Sequence, residues 1–181
     1  MCGRFVITET KPFGIDNKPS YNISPSSFVP VKTILNCKLM IWSYSPYWKK
    51  DMNLINCRSE SMYDKPSFKN AQRCIIYQNG WFEWKRTDSE KIPYYHYCNT
   101  NYFAGLYNQS GCLILTKSSN ERIKHIHHRQ PILLNEDEID DFLNGEDLFN
   151  SLAVEEIQFY RVSKDVNNTR NNDLSLIKEI I

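Results

Sequence analysis

No run of about 18 apolar residues occurs in this 181-residue chain, so no membrane-spanning helix is expected. The N-terminus lacks a basic segment followed by an apolar stretch, so no secretory leader is expected either. Both absences point to a cytoplasmic or nuclear protein with no membrane partner. The six cysteines, Cys2, Cys37, Cys57, Cys74, Cys98 and Cys112, never form a C-x-x-C pair, and their spacing fits neither a zinc ribbon nor a dense disulfide framework. Cys74 and Cys112 sit in apolar runs and read as core. No repeat, linker or low-complexity tract divides the chain, so a single domain over residues 1–181 is expected, long enough to bury a core. A hydrophobic content of 41% with 13% aromatics excludes a disordered tail.

Net charge is also nearly lacking, at +1, but the near-zero total hides an asymmetry. Residues 1–134 carry 18 Lys and Arg against 9 Asp and Glu, whereas residues 135–181 carry 4 against 12. An anionic partner is therefore not excluded. Basic residues interleave with aromatics in Tyr47-Trp48-Lys49-Lys50 and in Trp81 to Arg86, a composition that suits either phosphate contact with base stacking or merely solvated strand ends.

Strand patterns dominate what is present. Strands are expected at Arg4–Thr8, Phe28–Leu35, Lys38–Tyr44, Cys74–Tyr77 and Ile157–Val162, and a meander at Ile92–Cys98, Asn101–Tyr107 and Cys112–Thr116. Asn135 with acids at 136–138 reads as a helix start and Gly145 as its end. A second short helix is expected around Leu148–Val154. The stretch from Asn56 to Ser61 reads as a turn or helix cap, and that from Val166 to Asn172 as a polar loop. The expected fold class is α+β, rich in antiparallel strands.

Three places concentrate chemistry. Cys2 follows the initiator Met, a context in which cytosolic processing removes Met1 and leaves a 1,2-aminothiol. Its thiol has a reference pKa of about 8.5 and its α-amine one of about 7.7–8.0. An aldehyde can condense with that amine and then close through the thiol to a thiazolidine; read in isolation, Cys2 is equally an incidental residue at a frayed end. Glu83 lies among Trp81, Phe82 and Trp84. Desolvation there raises its pKa toward the range useful for proton transfer, unless strand alternation turns it to solvent. His125-Ile126-His127-His128 holds three of the four histidines, which titrate near neutrality, and no acidic or Cys partner stands at a familiar metal-ligand spacing.

Taken together, MCGRF at 1–5, YNISP at 21–25, NCRSES at 56–61, GWFEWK at 80–85, AGL at 104–106, IHHRQP at 126–131 and VSKDVNNTRNN at 162–172 resemble the SRAP family. These are abasic-site processing proteins that shield abasic sites in single-stranded DNA by cross-linking to them. NCRS, IHHR and VNNTRNN resemble the eukaryotic branch, whose human member is also called a 5-hydroxymethylcytosine-binding protein. The resemblance implies an SRAP-like domain with a basic DNA-binding groove and a covalent thiazolidine on Cys2. It implies that Asn56 positions the N-terminus and sugar, and that Glu83 and His127 act as acid–base residues, with Glu83 also serving reversal. It places Arg4, Arg58 and Arg129 along the DNA and Trp48 against its bases. No metal or organic cofactor is implied; the implied partner is single-stranded DNA containing abasic sites, and the protein is expected to be monomeric, without a C-terminal clamp-binding extension. Two further readings stay open, a cysteine peptidase using Cys2, His127 and Glu83, and a non-covalent reader of 5-hydroxymethylcytosine. Gln130 stands where the family usually has Met, and Trp42-Ser43-Tyr44 where it has Trp-Gly-Leu.

Overall fold

Apolar residues recur here in short alternating runs rather than at helical spacing, and strands result. The computed structural model describes residues 2–150 and 157–180. In chain order the strands are β1 (Phe5–Ile7), β2 (Ser20–Ile23), β3 (Phe28–Lys32), β4 (Cys37–Ile41), β5 (Asn56–Arg58), β6 (Gln72–Tyr77), β7 (Gly80–Arg86), β8 (Lys91–Tyr97), β9 (Tyr102–Asn108), β10 (Gly111–Ser118), β11 (Arg129–Pro131) and β12 (Leu133–Leu134); after helix α1 (Ile139–Leu143) comes β13 (Gln158–Arg161). Among the described residues these form two sheets. One runs β13-β8-β7-β1-β2; the other runs β11-β10-β9-β6-β3-β4, with β12 against β9 and β5 against β10. The pairings between named strands are antiparallel apart from β5 with β10.

Strand alternation sorts the core into three layers. Cys2, Phe5 and Trp81 from the five-stranded sheet meet Cys74, Ile76, Phe103 and Ile114 from the larger one. On the far face of the larger sheet, Ile75, Leu113 and Leu115 pack beneath Ile139 and Phe142 of α1. On the outer face of the smaller sheet, Val6, Phe82 and Tyr95 are covered by Val162, Val166 and Leu176. Both faces of β7 are therefore buried over its first four residues, 80–83.

The expected strands are found with moved ends: β1, β3 and β13 are shorter than expected, whereas β6 and β10 are longer. Thr33 stops β3 early, because its hydroxyl accepts from the main-chain N–H groups of Leu35 and Asn36. The segment after β4 keeps only isolated bridges, at Trp42 and Tyr44. The expected meander is corrected: β9 and β10 form a hairpin, but β8 pairs with β7 and β13 in the other sheet. The stretch at Asn56–Arg58 is a strand, followed by a 3-10 turn at Ser59–Ser61; with Cys57 its one buried residue, it is too short for its alternation to be recognised. Asn135 does begin the helical segment, through a capping box with Glu138. Part of the helix expected at Leu148–Val154 lies outside the described residues.

Gly111 opens β10 at φ +146°, where an added Cβ falls 2.4 Å from the Ile41 carbonyl oxygen and 2.5 Å from that of Ser43. Neither backbone oxygen can swing aside like a side chain. Gly111→Ala is expected to cost roughly 3 kcal/mol of stability. Urea denaturation checks this, and an unchanged midpoint contradicts it.

Candidate active site

The site lies where the two sheets meet. Cys2 leads into β1 and is wholly buried in the layer between the sheets. Its main-chain carbonyl accepts a hydrogen bond of 2.9 Å from Asn56 Nδ2, so β5 holds the N-terminal segment by its carbonyl. Burial, reinforced by the charge of Glu83, pushes the Cys2 thiol well above the usual thiol range. The thiol is thus held neutral, and its Sγ lies 3.8 Å from the Arg4 carbonyl oxygen.

Two residues along β7 from Trp81, Glu83 shares that side chain's face and is only 3% exposed. Of the two orientations the sequence allowed, burial is the one found, because the outer face of β7 belongs to Phe82. Burial raises the Glu83 carboxyl to about 7. His127 Nδ1 stands 3.9 Å from Glu83 Oε2 and 3.0 Å from both the main-chain nitrogen and the carbonyl oxygen of Arg129. Burial lowers the imidazole to about 4. The pair therefore sets a carboxyl that holds its proton toward neutrality beside an imidazole that stays neutral.

The two residues open on a cleft of about 820 Å³. Arg58, Arg86, Lys91 and Lys124 line it, and Glu83 supplies a carboxylate among them. Such a charge balance suits an anion. Lys91 and Lys124 escaped the sequence reading, since a lone lysine carries no pattern of its own. Arg58, from the end of β5, is one of the residues that line the cleft.

Arg129 does not line this cleft. Its guanidinium is buried, held by Glu60 through two hydrogen bonds of 2.6 and 2.8 Å and by the Thr116 carbonyl oxygen at 2.7 Å. That pairing holds the Glu60 carboxyl down at about 2. The Arg129 main chain meets the His127 ring, through its N–H and its carbonyl oxygen at Nδ1. Arg4 Nη1 bonds Asn22 Oδ1 at 2.7 Å and the Val166 carbonyl oxygen at 3.1 Å. Trp48 is half exposed and is absent from the lining of the cleft. The departures at 43, 44 and 130 all enter hydrogen bonds: Ser43 with Asn53, Tyr44 with the Ser67 carbonyl, and Gln130 Oε1 with the Asn120 N–H at the start of the loop carrying His127.

The strand-rich fold thus sets a buried thiol near its N-terminus, a carboxyl poised near neutrality and a neutral imidazole beside a basic cleft. The chain belongs to the SRAP (SOS response associated peptidase) family, whose model matches residues 1–169. It is 32% identical to the abasic site processing protein YoqW of Bacillus subtilis, with 98% of this chain and 99% of that one covered. It is 29% identical to the abasic site processing protein HMCES of Xenopus tropicalis, with 91% and 67% covered. Similarity thus extends to bacterial and vertebrate members alike. A solved structure from Bacteroides thetaiotaomicron shares the fold with a TM-score of 0.76 at 24% identity, over 89% of this chain and 85% of that one. Among the described residues no helix is long and apolar enough to cross a membrane.

Proposed function

We propose that this protein captures abasic sites in single-stranded DNA and links itself to them through a thiazolidine on Cys2, as a monomer built on one domain over residues 1–181. The observation that carries this reading is the Glu83–His127 pair beside the N-terminal segment of Cys2, at the edge of a cleft lined by four cations. Arg58, Arg86, Lys91 and Lys124 hold phosphates, so capture weakens with salt. An abasic nucleotide is already unpaired, which lowers the cost of exposing its sugar.

The chemistry begins with loss of Met1, which frees the Cys2 amine and strips away the residue attached to it. His127, neutral at working pH, takes the proton of the C1 hydroxyl as the deoxyribose opens, and protonated Glu83 gives one to the ring oxygen. The Cys2 amine adds to the aldehyde carbon, and loss of one water leaves an imine. Sulfur then adds to the imine carbon and the thiol proton passes to nitrogen, closing the five-membered ring. One water leaves overall, and no electrons are exchanged. Because the thiol is held neutral and the amine titrates near neutrality, the amine attacks first. Asn56 keeps the Cys2 main chain in place throughout.

Incubation with single-stranded DNA bearing one abasic site is expected to give an adduct that survives denaturation. Reversing two cleft charges, Arg58→Glu with Lys124→Glu, is expected to weaken non-covalent capture at least about tenfold and to reduce its salt dependence by roughly two phosphate contacts. No adduct from the wild type overturns the reading; unchanged capture by the double variant removes the DNA from this cleft.

A further inference from the structure

The polar motif at 166–172 and Asn22 remain outside this chemistry, yet they form a single network. Asn22 is 5% exposed. Its Nδ2 lies 3.2, 3.1 and 2.9 Å from the carbonyl oxygens of Val166, Asn168 and Asn171. Its Oδ1 accepts from Arg4 Nη1, which also reaches the Val166 carbonyl. Two side chains thus bind one loop to the residue two positions after Cys2, across 144 or more residues of sequence.

The same loop closes on the other side of the site. Asn167 lines the cleft, and its Oδ1 accepts from Trp84 Nε1 at 2.8 Å, directly beside Glu83 on β7. The segment leading to the nucleophile, the strand of the acid–base carboxyl and one wall of the cleft are therefore joined through Asn22 and residues 166–171. A short amide suits this position, because it offers an acceptor to the guanidinium and donors to the carbonyls at once. Aspartate has no donors, and leucine has neither.

We infer that Asn22 is a positioning residue for the Cys2 reaction: with Arg4 it locks the N-terminal segment onto the 166–171 loop and so sets Cys2 against Glu83. This rests on the proposed cross-linking activity. It also assigns Arg4 to this lock rather than to phosphate contact.

Asn22→Ala and Arg4→Lys test it, the second keeping the charge while losing the fork. Single-turnover adduct formation is followed with abasic single-stranded DNA. Binding is measured with the same DNA carrying a tetrahydrofuran residue, which cannot open to an aldehyde. Iodoacetamide labelling of each cysteine is read by peptide mass.

In both variants the adduct rate is expected to fall at least about tenfold, since small displacements of reacting groups carry large rate penalties. Affinity for the tetrahydrofuran DNA should stay within twofold and Cys2 labelling should accelerate, while the deep-core thiols Cys74 and Cys112 stay protected. Unchanged rates in both variants overturn the inference. So does a loss of rate that merely tracks loss of binding, or labelling of Cys74 and Cys112 in parallel, which marks a general loosening. If Asn22→Ala does not fold, Arg4→Lys decides alone. Failure of the wild type to form any adduct counts against the cross-linking reading instead.

Discussion

Cys2→Ala is expected to leave no denaturation-resistant adduct, a loss of at least about a hundredfold in yield, while still being trapped on abasic DNA by borohydride. The alanine at position 2 keeps the α-amine and so still forms an imine, but it has no sulfur to close the ring. The imine hydrolyses unless reduced. Cys2→Ser should behave in the same way, because a hydroxyl at that carbon is a far weaker nucleophile than sulfur. The fold persists in either variant, since truncating one small core side chain costs about 1 kcal/mol. Denaturing gels with and without borohydride separate the two bonds. A stable adduct from Cys2→Ala without reductant removes the thiol from the linkage, and failure of borohydride to trap it removes the amine.

Glu83→Gln is expected to slow adduct formation by roughly 10²- to 10⁴-fold while leaving capture of single-stranded DNA within twofold. The wild-type rate should pass through a maximum in pH. It rises as the Cys2 amine loses its proton near the reference value of about 7.7–8.0, and it falls as Glu83, whose carboxyl sits at about 7, loses the proton it donates. The glutamine variant should retain only the rising limb. A falling limb that survives in Glu83→Gln contradicts the assignment of the acid.

The same substitution carries a stability signature of fixed sign. The folded carboxyl at about 7 lies above its ordinary value of 4.5, so the fold favours the protonated form. That contribution is fully present below pH 4.5 and is lost as pH rises through 7. Glutamine, neutral throughout, should therefore be more stable than glutamate at pH 8, by on the order of 3 kcal/mol, and nearly equal to it at pH 4. Thermal melts at the two pH values check this, and equal stability at pH 8 denies the burial of a charge.

Residue chemistry was legible in the sequence where it is local. An aminothiol needs only Cys2 behind Met1, and Glu83 announces itself by the aromatic residues on either side. The structure adds what depends on pairing across the chain. The C-terminal segment covers Phe82 on the outer face of β7, which leaves Glu83 on the inner face beside His127; no local pattern reveals either neighbour. Arg129 resembles any other basic residue until Glu60, 69 positions away, takes up its guanidinium. Asn22 stands in the YNISP stretch, yet nothing local tells what it does, because it binds the Arg4 guanidinium and main-chain carbonyls of residues 166–171. The polarity of Asn56–Arg58 concealed a strand whose pairing with β10 sets the Asn56 amide against the Cys2 carbonyl. The apolar runs of β8 and β9 look alike in sequence, yet they belong to different sheets.

The central claim is a bond between a sugar and both nucleophiles of Cys2. Nuclease and trypsin digestion of the adduct, followed by tandem mass spectrometry, locates that bond directly. The expected product is a peptide of residues Cys2 to Arg4, beginning at Cys2 and carrying the sugar remnant less one water, with neither its amine nor its thiol open to labelling. A peptide that retains Met1, or a sugar carried on Lys91 or Lys124, contradicts it.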